Sequence, residues 1–441
     1  MVARPPRPIE LESRKSHGGG VSAALLRWRM TILLVAGLFL PQLLSAQVDS
    51  RAAEIESARK EKMLHLEPDE PSRTERGLLY FKEGKLLERV TGGVAGFRVK
   101  LGGLVTGGGF ALGPEYLRRD LAGGNLIFRT AAQASIKKYE RMDLELGAPH
   151  FANNKLFFDF FSVYHNYPGI SYYGPGPLSR KTSRSNFRLE DTALDSALGV
   201  RPIQPFKFGV SGGYLFVNVG PGGDTRFVSA DKVFTPQQAS GIDRQSNFLR
   251  YGAFAQFDYR DNPGGPRKGG NYLVQFDVYS DRTLRLHDFR RLHVDLQQYI
   301  PFFNERHVIA LRATTTRTYT SAGQTVPFYL QPTLGGPNDL RGFRAFRFYD
   351  DNMLLLNGEY RWEVFSGLDM ALFADGGKVF PRSGAWNLSH LEGSGGFGLR
   401  FNVLNNVFLR IDAGFSHEGA QVWFKFDNIY RGERIRSSTY Q

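Results

Sequence analysis

The chain has 441 residues, a formal net charge of +13, 50 glycines, 36 phenylalanines, 19 tyrosines and no cysteine. A soluble chain of this length would divide into roughly two or three domains; a disulfide scaffold and a cysteine-held metal site are excluded, and no basic patch is concentrated enough to read the charge as a nucleic-acid surface. A single large barrel escapes the size argument because its core is a closed sheet, and glycine- and aromatic-rich composition suits a barrel whose lipid-facing and lumen-facing residues alternate.

Arg27 and Arg29 precede an apolar run over residues 30–40, and Leu44, Ser45 and Ala46 offer a small-residue cleavage site. This pattern predicts a secretory signal peptide over 1–46, with a start near Val21. The apolar run is too short for a spanning helix, which needs roughly 20 apolar residues, so membrane residence would have to be as a barrel. Residues 47–91 are charged, contain Pro68 and Pro71, and read as a short periplasmic lead-in with a helix over 52–64.

From residue 94 the pattern becomes period-two alternation, the signature of a half-buried strand. Phe97, Val99 and Leu101 alternate with Arg98, Lys100 and Gly102; Leu354, Leu356, Tyr360 and Trp362 alternate with Asn357, Glu359, Arg361 and Glu363; Leu399 and Phe401 alternate with Arg400 and Asn402; Val407, Leu409 and Ile411 alternate with Arg410 and Asp412. Strands are predicted near 94–105, 108–118, 125–136, 138–147, 155–165, 187–197, 206–217 and 248–259, then near 271–280, 289–299, 306–317, 353–364, 368–379, 395–403, 407–414 and 420–428. Even-numbered connections are short and odd-numbered ones often long, as expected for periplasmic turns and external loops. The fold class is therefore all-β: a sixteen-stranded antiparallel transmembrane β-barrel over 92–428 with a tail over 429–441. A soluble sandwich is the runner-up and leaves the charged strand faces unexplained.

Gly335 to Phe343 form a glycine-rich loop around Arg341, followed by Glu359 and Asp375 on the polar faces of the next two strands. Spacing leaves two readings open. One is a loop folded inward and pinned by a buried charge pair; the other is an exposed arginine whose pairing matters little. Gly209, Ser211 and Gly213 match G-x-S-x-G, but inside a strand rather than at the strand–turn–helix elbow that a nucleophile needs. His65 with Glu67, Asp69 and Glu70 reads as a solvated charge run, and His287, His293 and His307 show no convergent spacing. No catalytic residue, metal site or cofactor is expected.

Four blocks resemble the BamA/TamA superfamily of outer-membrane insertase and translocase barrels, also called the bacterial surface antigen family. They are Asp258, Tyr259, Arg260, Asp261, Asn262 and Pro263 with Gly269; Leu334 through Phe343; Glu359, Tyr360 and Arg361; and Phe373 through Phe380. Tyr172, Tyr173, Gly174, Pro175 and Gly176 add weaker support. The resemblance implies that Arg341, Gly342 and Phe343 lock external loop six in the lumen through Glu359 and Asp375. It makes Asp258, Arg260, Asp261, Asn262, Pro263 and Gly269 a periplasmic-turn motif. It makes the join of first and last strands, marked by Gly96, Gly102, Phe424 and Phe426, the seam where client strands add by β-augmentation. Val422, Phe424 and Phe426 resemble the terminal assembly signal of such barrels, although here a tail follows it.

The resemblance implies a bacterial outer-membrane protein that assists assembly, insertion or translocation of proteins or lipids and is not an enzyme. Its partners would be outer-membrane lipid, a client outer-membrane or secreted protein and a separate periplasmic partner, with no nucleic acid. Residues 47–91 leave no room for the periplasmic POTRA domains of the best-known members, so a member lacking them is expected. The alternative is a passive pore or structural surface antigen.

Overall fold

The computed structural model describes residues 94–382, 386–403, 405–426, 430, 434 and 436, together with 56–58 and 61. The chain divides into two units, Met1–Gly84 and Lys85–Gln441. In the first, residues 56–58 and 61 are helical. The signal peptide and the His65 group lie outside the described residues.

The second unit is a sheet of sixteen strands closing toward a barrel. Its first half comprises β1 (Phe97–Gly102), β2 (Ala111–Leu121), β3 (Leu126–Ser135), β4 (Glu140–His150), β5 (Leu156–Tyr172), β6 (Ser185–Ile203), β7 (Phe206–Pro221) and β8 (Phe248–Asp258). Its second half comprises β9 (Gly269–Asp281), β10 (Phe289–Phe302), β11 (His307–Thr320), β14 (Asn352–Phe365), β15 (Leu368–Phe380), β16 (Glu392–Val403), β17 (Asn406–Ser416) and β18 (Gly419–Lys425). The loop between β11 and β14 carries a two-stranded ribbon of its own, β12 (Thr333–Leu334) with β13 (Phe348–Tyr349). Every pairing between barrel strands joins sequence neighbours and is antiparallel, so the sheet is an up-and-down meander.

The faces of this sheet are inverted relative to a water-soluble protein. Val274, Phe276, Leu296, Ile309, Leu311, Leu372, Phe397 and Phe424 are exposed, while Asp143, Arg250, Asp277, Arg291, Asp295, Glu359, Asp375, Arg400 and Asp412 are buried. In β10 the inward set is Arg291, His293, Asp295, Gln297 and Tyr299, and the alternate residues include Leu292, Val294, Leu296 and Ile300. An apolar outer belt over a charged interior is stable when the outer face meets lipid and the inner face meets its own partners.

Several strand lengths differ from the sequence expectation, three of them widely. β5 and β6 run to 17 and 19 residues, beyond the roughly 9–11 needed to cross a bilayer. Their surplus continues the ladder to Tyr172↔Ser185, where the external loops cover it. A cluster of Tyr172, Phe187, Phe328, Tyr349 and other buried apolar residues fills this end. β1, by contrast, is only six residues long. Gly96 and Gly102, which bound it, both have positive φ, and glycine weakens strand pairing.

Candidate functional site

Loop six, residues 321–351, is held at both ends of its excursion by apolar contacts. Phe328, Tyr329 and Leu330 are buried in a short 3-10 turn, and the ribbon hydrogen-bonds across to the earlier external loop through Gly176 N–H and the Tyr349 carbonyl at 2.7 Å. Tyr349 Oη donates to the Ser171 carbonyl at 2.9 Å. The segment from Tyr172 to Gly176 is therefore a docking surface for loop six. Leu334, Leu340, Phe343, Phe348, Leu355 and Val379 then form one buried cluster that seats the loop tip on β14 and β15.

Arg341 lies at this tip and is fully buried. Its guanidinium donates to Asp375 through Nη2 at 2.7 Å and Nε at 2.9 Å, and through Nη1 to Glu359. Its backbone N–H also donates to Asp375, at 3.2 Å. The guanidinium plane sits 3.5 Å above the Phe373 ring centroid. Both faces of recognition that distinguish arginine from lysine, the bidentate fork and the aromatic stack, are thus in use. On the far side, Trp423 Nε1 donates to the Arg341 carbonyl and Ser416 Oγ to the Gly342 carbonyl, each at 2.8 Å. The loop tip is consequently gripped by β14, β15, β17 and β18.

Gly342 is required by space. A Cβ built there would lie 2.6 Å from the Phe415 carbonyl oxygen, and one built on Gly414 would lie 2.4 Å from the Arg341 carbonyl oxygen. Phe343 stacks edge-on against Phe348 with centroids 5.3 Å apart.

The charge pair belongs to a larger network. Glu359 also accepts from Arg361 at 2.7 Å and from Arg400 at 2.8 Å. Arg400 pairs with Asp412 at 2.7 Å, and Asp412 with Arg410 at 2.9 Å. Arg410 returns to the loop, donating to the Pro337 carbonyl at 2.8 Å and Asn338 Oδ1 at 2.9 Å. Asn357 Nδ2 bridges Asp375 and the Asp339 carbonyl, at 2.8 Å each. Phe373 opens one of the resemblance blocks, whereas Arg400, Arg410, Asp412, Asn357 and Trp423 are not singled out by the sequence as lock residues. Strand parity had already placed Asn357, Arg400, Arg410 and Asp412 on the polar face, and that was the signal available.

The periplasmic-turn residues form a second structure, joined to the lock through Arg361. Arg260 folds back on Asp258 at 2.7 Å, Asp261 accepts from the backbone N–H groups of Arg267 and Lys268, and Gly269 starts β9. Asn262 Nδ2 donates to the Asn405 carbonyl at 2.7 Å, and Arg267 pairs with Asp369 at 2.7 Å. Arg361 of the lock reaches the Pro266 carbonyl at 3.4 Å. This turn leaves β8 and reaches the turns that follow β14 and β16, so it is a strap across the short-turn end of the barrel. Pro263 lies within it and lines a lumen cavity.

At the seam, Phe424 is exposed on the outer face and Phe426 makes edge contacts with Phe110 and Phe408, at 5.8 Å each. Gly102 faces Phe426 and Gly96 lies just ahead of β1. Among the described residues no ladder joins β1 to β18. Ser211 lies within β7, and the three histidines take separate neighbours, Thr325, Thr316 and Tyr360. No metal-holding cluster occurs among the described residues.

A sixteen-stranded barrel with an arginine-locked loop in its lumen defines a class of membrane proteins, and comparison with known proteins places the chain within it. Residues 120–414 match the Omp85 superfamily domain, and the chain belongs to that superfamily. Among solved structures it is similar to BamA from Haemophilus ducreyi lacking POTRA domains 1–3, with a TM-score of 0.56 and 13% identity over 75% of this chain and 69% of that one. It is also similar to CdiB from Escherichia coli, with a TM-score of 0.51 and 14% identity over 74% of this chain and 61% of that one. These likenesses bear on the fold alone. None of the curated proteins matches the chain.

Proposed function

We propose that the chain is a bacterial outer-membrane barrel that assists insertion or translocation of polypeptide, or of lipid, at that membrane, with no covalent chemistry of its own. The seam carries this reading. Among the described residues β1 offers six residues and β18 seven, with no ladder between them, and the edges of two short strands are templates for an incoming strand. The lock supports it by rigidifying β14 to β18 around loop six, which concentrates movement at β1. Membership of the superfamily supports it in general terms. The placement of Ser211 inside a strand, without an elbow, favours the absence of hydrolytic activity. In this reading the apolar belt meets outer-membrane lipid, the client is an unfolded outer-membrane or secreted polypeptide, and a separately encoded periplasmic protein delivers it.

The test is a crosslinked seam. A Cβ at Gly102 would lie 3.7 Å from Cβ of Phe426, within the roughly 3.5–4.5 Å that a disulfide spans. The chain has no cysteine of its own, so the pair Gly102→Cys with Phe426→Cys is the only thiol pair present. Reconstituted in liposomes with an unfolded barrel client, the reduced protein is expected to accelerate client folding and the oxidised protein to lose that acceleration. Equal activity in both states would favour the passive pore or surface antigen and contradict the proposal.

A further inference from the structure

Three residues beyond the last strand, Tyr430, Arg434 and Arg436, lie inside the barrel. Tyr430 is fully buried and clusters with Tyr299, Val308 and Ala310. Tyr299 and Ala310 are cross-strand partners, and Ala310 pairs with Glu359 of the lock, so all three share the lumen face. The guanidinium of Arg312 lies 5.7 Å from the Tyr430 ring centroid and that of Arg361 6.0 Å. Arg260 Nη1 donates to the Tyr430 carbonyl at 3.5 Å. Further on, Arg434 forms an ion pair with Asp159 and lies 4.4 Å from the Phe254 centroid. Arg436 sits 3.5 Å above Phe161. Asp159, Phe161 and Phe254 are inward residues of β5 and β8, whereas Tyr299 and Val308 flank the β10–β11 turn.

These positions belong to one end of the barrel. Tyr299 and Val308 adjoin the Phe302–His307 turn, and Asp159 lies three residues into β5; β18 finishes at that same end. The contacts therefore extend between separate parts of the wall beneath a lumen cavity of about 750 Å³ that Arg434 and Arg436 help to line. The strap from β8 covers the other part of this opening. From the side of the long loops, loop six fills the lumen down to Arg361, which touches both Glu359 and the Tyr430 ring.

We propose that the C-terminal tail, seated by Tyr430, Arg434 and Arg436, is a displaceable plug of the periplasmic end of the lumen. It is anchored differently from loop six. The contacts of the described tail residues include the buried Tyr430 ring, the hydrogen bond from Arg260 to its carbonyl, a partly exposed ion pair and arginine–aromatic stacks, of which the last two kinds are individually weak, where the loop uses a closed network of buried charges. The tail is thus the occupant that can leave while the lock holds.

The experiment is single-channel conductance in planar bilayers, comparing the full chain with a chain ending at Phe426 and with full-length Tyr430→Ala/Arg434→Ala. Both changes are expected to raise conductance severalfold and to lengthen open events. A synthetic peptide of residues 427–441, added on the periplasmic side of the shortened barrel, is expected to restore the closed level. Should the shortened chain fail to assemble, the double variant gives the reading. In parallel, Asp159→Cys/Arg434→Cys in the otherwise cysteine-free chain is expected to crosslink with a short bismaleimide and to keep the closed level permanently. Unchanged conductance in the assembled variants, or no crosslink between 159 and 434, would overturn the plug. The seam crosslink leaves this readout untouched, so failure of the plug and failure of the insertion reading are distinguishable.

Discussion

Arg341 is a buried cation whose position makes sense only with its two carboxylates. Taking such a charge out of water is unfavourable by several kcal/mol, and the pair returns that only when geometry is close to ideal. Here five contacts, counting the Phe373 stack, meet that condition. Arg341→Lys keeps the charge but loses the fork, so loop docking should weaken by about 2 kcal/mol, read as a lower temperature for the folded-to-unfolded shift of the barrel on a denaturing gel. A second loop residue provides a pH signature. Burial pushes the Asp339 carboxyl up to about 7, against the pull of Arg312. Because the docked loop then favours the neutral form, this contribution is fully present below about pH 4 and is lost as the pH rises through about 7. Protection of loop six from external protease should therefore decline between about pH 4 and pH 7 and level off above that, and Asp339→Asn should flatten that profile.

At the scale of elements, the strands were legible because their two faces meet different solvents. Alternation in β14, β16 and β17 assigned Glu359, Arg361, Arg400, Arg410 and Asp412 to one side, and all five are buried in the lumen. Which of them would touch was not legible. Glu359 meets Arg400 across two ladder steps, a relation set by the stagger of β14, β15 and β16 rather than by the spacing along any strand. The close approach of Gly342 to Gly414 is of the same kind, since a loop and a wall strand 72 residues apart share one space. Gly342→Val should therefore displace the loop tip, destabilising the barrel by about 1–3 kcal/mol through overpacking; a thermal melt followed by tryptophan emission, which reports Trp423 beside the loop, is the measurement. Gly342→Ala should show the same change to a smaller degree.

On the scale of the whole molecule, the number of strands and the alternation of short and long connections followed from periodicity, while contacts across the barrel did not. The β8–β9 turn looked like an ordinary periplasmic turn, yet Asn262 and Arg267 reach Asn405 and Asp369. Tyr430, Arg434 and Arg436 had no periodicity to read, and their place in the lumen depends on where the wall presents Tyr299, Asp159 and Phe161. What emerges is a barrel bound on one side and weakly joined on the other: a wall from β14 to β18 bound to loop six, and a glycine-bounded β1 with no ladder to β18 among the described residues. That contrast depends on the lock, so the most direct measurement is the exposure of loop six in intact cells. In Arg341→Ala, Asp375 loses its guanidinium and Glu359 one of three, a disruption of about 3–5 kcal/mol that raises the undocked population on the order of 100-fold or more. Trypsin added outside the cells should then cut at Arg344 in the variant and leave the unaltered protein intact over the same interval. Equal resistance of the two proteins, with both at equal levels in the membrane, would contradict the account.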